Sequence, residues 1–157
     1  MSALQIWELL SYVVTVVGLP LAIAVFIFEQ RKERDNEEEE VYQLLSDNYQ
    51  EFLKTALEHP DLHLFSSEET PALSAQQQER MFIIFRMLIS LFERAYLLLY
   101  EEDMKEKQLR RWRSWEDYMG EWCKSADFRA SLPALLRGED PEFAGYIERL
   151  AAGSHAA

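Results

Sequence analysis

Few residues in this chain have the types and spacing that chemistry requires. Cys123 is the only cysteine. A thiol nucleophile needs access, a lowered pKa and a nearby base. Cys123 follows Trp122 with no histidine close in sequence, which reads as burial. It cannot form a disulfide within the chain, as expected for a reducing compartment. His59 and His63 stand four apart, with Glu58 and Asp61 beside them. On a helix they would offer a two-histidine metal face. Pro60 between them breaks a helix, and the third histidine, His155, falls in the terminal tail. These residues read as a polar loop, with no metal expected.

Two further sets remain. Trp112, Trp115 and Trp122 recur at helical spacing with Leu109 and Met119. A ligand cage would also need matching polar groups, so core or interface anchors are expected, with a Trp-lined small-molecule pocket as the alternative. Arg86, Ser90 and Glu93 lie on one helical stripe, and Arg86 and Glu93 are a candidate buried ion pair. The sequence has no phosphate-binding glycine loop, no dinucleotide fingerprint and no CxxC zinc pair. The expectation is a protein without enzymatic activity or cofactor.

The element that dominates the chain is residues 9–28, LLSYVVTVVGLPLAIAVFIF, which carries no charge. About 20 apolar residues at ~1.5 Å each match a ~30 Å hydrocarbon core. The residues before it hold no Lys or Arg, while Arg31, Lys32 and Arg34 follow it. Positive residues stay on the cytoplasmic side of a span. That bias predicts an outside N-terminus and a cytoplasmic C-terminal domain at the bacterial inner membrane. Trp7 and Tyr12 suit the outer interface. A cleaved signal peptide would need a positive start, which is missing. Within the span, Ser11, Thr15, Gly18 and Ala22 form one stripe of small side chains. Such stripes let helices pack closely in lipid, so self-association is expected there, and Pro20 is a candidate kink.

The formal net charge is -12, and the residues before Arg31 contribute only Glu8 and Glu29 to it, which leaves -10 for the rest. So acidic a domain lacks the electrostatic attraction that nucleic-acid binding uses. It is also repelled by anionic lipid surfaces. Only 5 glycines and 5 prolines argue against a β-sandwich, while 9 Phe, 7 Tyr and 4 Trp supply apolar area for one core.

The predicted fold is all-α: residues 1–30 a transmembrane anchor, 31–40 a charged helical stalk, 41–150 a helical bundle and 151–157 a frayed tail. Arg31/Asp35 and Arg34/Glu38 are i,i+4 pairs that support the stalk. The chain either continues straight through it or pauses at Asp35-Asn36, where a cap is available. From Val41 onward, Leu44, Leu45, Tyr49, Phe52 and Leu53 recur at helical steps. His59-Pro60 ends that helix. Ser74 and Gln77 have capping-box spacing and start a long helix ending near Tyr100. Arg86, Glu93 and Arg94 disqualify this helix as a second span. Further helices are expected from Lys105 to Cys123, from Ser125 with a break at Pro133 and a stop at Gly138, and from Asp140-Pro141-Glu142.

Tyr96-Leu97-Leu98-Leu99-Tyr100, Trp112-x-x-Trp115-x-x-Tyr118, Trp122, Asp127-Phe128-Arg129 and Asp140-Pro141-Glu142-Phe143 form an aromatic pattern over about a third of the chain. This region resembles a set of uncharacterised bacterial proteins with one N-terminal span and a helical cytoplasmic domain. The resemblance implies fold and topology and carries no activity. The functional expectation is a membrane-tethered protein-interaction or scaffold module, a homo-oligomer in the lipid bilayer that binds a cytoplasmic or membrane protein and no nucleic acid. The alternatives are an oligomeric effector whose Ser11 and Thr15 line a pore, and a small-molecule sensor.

Overall fold

A computed structural model describes residues 18–154. The described residues form five α-helices and no strand, as the periodicity predicts. We number them α1 (Leu19–Leu57), α2 (Ala75–Leu99), α3 (Glu106–Trp122), α4 (Ala126–Leu135) and α5 (Pro141–Ser154), with a 3-10 turn at Pro60–Leu62. The chain divides into two compact units, Met1–Val41 and Tyr42–Ala157.

In the first unit, α1 runs through Asp35 and Asn36 without a pause. Neither residue caps, because good helix formers on both sides continue the helix. Residues 19–28 expose their large apolar side chains, with Leu19, Leu21, Ile23, Val25, Phe26, Ile27 and Phe28 between 45% and 69% accessible. Among the described residues no helix is long and apolar enough to cross a membrane. The reason is geometric. This apolar stretch of α1 is ~15 Å long at ~1.5 Å per residue, and the charged residues from Glu29 follow. Residues 9–17 of the expected span lie outside the described residues.

The second unit is built around α2. Ile84, Phe85, Leu88, Ile89, Phe92 and Ala95 of α2 are all buried, and α2 packs against α3, α4 and α5. It begins as its sequence predicts. Ser74 Oγ accepts from the Gln77 amide at 3.2 Å, and Gln77 Oε1 accepts from the Ser74 amide at 3.0 Å. Helix α3 turns Trp112, Trp115, Met119 and Trp122 inward. At the start of α4, buried Ser125 accepts from the Phe128 amide at 3.4 Å. Pro133 does not break α4, which continues to Leu135. It costs one backbone bond, and Pro133 is exposed, so water can solvate the Arg129 carbonyl it frees. Phe128, Leu132 and Leu135 hold the helix by burial. Gly138 at φ 92 then reverses the chain. Asp140 caps α5, its Oδ1 accepting from the Glu142 amide at 2.9 Å and the Phe143 amide at 3.0 Å.

Candidate functional site

The three tryptophans are core. Trp112 is 2% exposed, and Trp115 and Trp122 are fully buried. None of the described cavities is lined by them. Their rings pack edge-on against Tyr49, Phe92, Tyr96 and Phe52 at centroid distances of 5.6–6.5 Å. Trp122 Nε1 donates to the Tyr49 hydroxyl at 3.0 Å, and Trp112 Nε1 to Tyr146 at 3.3 Å. The Tyr146 hydroxyl donates in turn to Glu116. Burial, then the Glu116 bond, raises the Tyr146 pKa. Among the described residues, Trp115 Nε1 is buried with no hydrogen-bond partner. Each indole is thus spent on packing, and the cavities described have other walls.

Arg86 and Glu93 are not a buried pair. Arg86 is exposed, with its guanidinium 5.5 Å from the Phe82 ring centroid. Glu93 is half-buried, and its Oε1 accepts from the Asp140 amide at 2.5 Å. It also shares a hydrogen bond with the Glu139 carboxyl. Burial, then that bond and the Glu93 charge, raise the Glu139 pKa, while Arg86 lowers it. The stripe spacing placed Arg86 and Glu93 on one side of α2 correctly. It could not show that Glu93 anchors the start of α5.

Cys123 is buried, and burial pushes its thiol up to about 12. A thiol so held is no nucleophile near neutrality. Among the described residues no group of acidic, histidine and cysteine side chains is placed to hold a metal. His59 and His63 flank a cavity instead. It measures about 480 Å³ and is walled by Leu53, Leu57, Pro60, Leu64 and Phe65. His63 sits in the left-handed region at φ 45. The loop is tied down by its backbone, since Ala126 donates to the Ser66 carbonyl at 3.1 Å. The Asp127 carboxylate accepts from the Thr70 amide at 3.0 Å and the Thr70 hydroxyl at 2.7 Å. Phe65 lies 4.0 Å from Trp122, centroid to centroid. Sequence reasoning missed this cavity. Its walls are ordinary apolar residues brought together by the chain reversal after α1, and only Pro60 signals that reversal.

Of the small-residue stripe, Ser11 and Thr15 lie outside the described residues. Gly18 is partly accessible and Ala22 is exposed on α1. Arg31, Lys32 and Arg34 are exposed on the same helix.

No protein-family model matches the chain, and neither a curated protein nor a solved structure gives a match.

Proposed function

We propose that this chain is a membrane-tethered protein-interaction module. Residues 9–28 are its single transmembrane helix, which self-associates along Ser11, Thr15, Gly18 and Ala22. The helical domain stands in the cytoplasm. The observation that carries the reading is the apolar run of α1. Residues 19–28 form a helix whose large apolar side chains are 45–69% accessible, and a run of that kind is stable when lipid covers it. The chain turns abruptly charged at Glu29, as an interface requires. The domain supports binding rather than catalysis, since its aromatic and thiol groups are consumed by packing. A reporter fused to the C-terminus tests the topology. A cytoplasm-active reporter should work, and activity of an exported phosphatase there would overturn it.

The cavity of about 480 Å³ beside His59 and His63 favours a second reading, a small-molecule sensor. That volume suits a compact apolar ligand. Trp122 touches Phe65 on its wall, so a ligand entering should change Trp122 fluorescence. Titration with a panel of small aromatic compounds that leaves the emission unchanged would dismiss this reading.

A further inference from the structure

The outward side of the second unit carries two stripes of opposite character. On α1, Leu44, Asp47, Glu51, Lys54 and Glu58 share the exposed face, where Lys54 pairs with Glu51 at 2.8 Å and leaves the stripe net acidic. On α2, the exposed face holds Arg80, Ile83, Met87, Arg94, Leu97 and Leu98, and of these Arg80 alone is half-buried. Leu44 is 60% accessible and Leu97 58%. Arg80, Arg86 and Arg94 against Glu79 make the α2 face positive in a chain of net charge -12, although Arg80 lies 3.9 Å from the Asp61 carboxylate. A groove of about 250 Å³ runs between the stripes, lined by Asn48, Glu51 and Thr55 of α1 and Met87, Ser90 and Arg94 of α2.

The register of the two helices makes these stripes complementary. Asp61, just past the end of α1, accepts from Gln77 near the start of α2 at 2.9 Å, so the helices run antiparallel. Tyr49 and Phe92 meet at 6.3 Å, which sets them level. Equal steps from that pair bring Leu44 level with Leu97, and Asp47 level with Arg94. Neither Asp47 nor Arg94 has an ion-pair partner among the described residues. A two-fold axis parallel to the groove lays the α1 of one copy on the α2 of the other. Leucine then faces leucine, and Asp47 faces Arg94 twice. A two-fold interface needs this self-complementarity.

We propose that the α1–α2 face is a reciprocal docking surface for a second copy of this chain, with Leu44 seated against the partner's Leu97 and Asp47 against the partner's Arg94. The inference rests on the reading of the chain as an interaction module and names the partner of its helical domain. From Arg80 to Leu98 the face is ~27 Å long, and two helices side by side are ~20 Å wide. The dimer would bury about 1,000 Å² in total, the lower end of specific interfaces. Such a contact is weak between free molecules. Confinement of both copies to one membrane raises their effective concentration and makes it sufficient.

The test is a cross-link between two differently tagged full-length copies in their membrane, one carrying Leu44→Cys and the other Leu97→Cys. Cys123 is buried and does not compete. Mild oxidation should yield a disulfide-linked pair carrying both tags. Arg94→Glu in both copies should lower that yield at least five-fold, and adding Asp47→Arg should restore it. Absence of the cross-link, or a yield indifferent to Arg94→Glu, overturns the proposal. Dimers that survive Arg94→Glu and vanish with Gly18→Leu place association in the anchor and refute this face, leaving the interaction module standing. Release of the chain from membranes by alkaline carbonate would sink the tethered reading alone, and the same cross-link with its Asp47→Arg rescue, run at a protein concentration high enough to populate a weak dimer, still decides the face.

Discussion

Trp115 and Trp122 occupy equivalent sites with opposite polar balance, and their phenylalanine variants should diverge. Both indoles are fully buried, so each Trp→Phe change leaves a similar void, at a cost of about 1–2 kcal/mol. Trp122→Phe also forfeits the 3.0 Å bond to the Tyr49 hydroxyl, about 0.5–1.5 kcal/mol more. Trp115→Phe instead deletes an N–H that is buried without a partner, recovering about 1–3 kcal/mol of desolvation. The two variants should therefore differ by about 3 kcal/mol, with Trp115→Phe near neutral. For a unit of this size that separates their melting temperatures by about 12 °C. Thermal unfolding of the second unit, followed by circular dichroism, reads the difference directly. Equal losses would refute the reasoning. They would mean that the Trp115 N–H is satisfied by a ring face, such as that of Tyr49 at 5.8 Å.

Other consequences are as direct. Burial raises the pKa of Tyr49 from its ordinary 10.0, and that of Cys123 from 9.0 to about 12. The folded state holds these protons more tightly than the unfolded chain, so stability is full below about pH 9 and falls as pH rises through 12. The urea midpoint should drop between about pH 8 and pH 11, and a flat profile would contradict the burial of both groups. Asp140→Ala removes both capping bonds at the start of α5 and should cost about 1 kcal/mol in urea unfolding. Gly18→Leu should weaken cross-linking through the anchor while leaving insertion intact, since leucine favours the bilayer. An unchanged pattern would remove that stripe as an interface.

Where local chemistry decides an element, the sequence sufficed. Ser74 with Gln77, and Asp140 with Pro141, announce their helices because capping is settled within four residues. The inward tryptophans of α3 were legible from their spacing for the same reason. Pro133 misled because a proline near a helix end sacrifices only one bond, and burial of Phe128, Leu132 and Leu135 outweighs it. Asp35-Asn36 offered a cap that the chain does not take, and only the finished helix shows this. The role of Glu93 was hidden for a different reason. Its acceptor geometry depends on the Asp140 amide arriving from another helix, and no periodicity encodes that meeting. The cavity behind His59 and His63 likewise depends on how the chain turns back after α1.

The central claim is that lipid covers the apolar end of α1. Extraction of membranes carrying the full-length chain with alkaline carbonate tests it most directly. Residues 9–28, uncharged throughout, should keep the chain in the pellet with the lipid, because leaving would expose that whole run to water. Recovery of the chain in the carbonate supernatant would contradict the account.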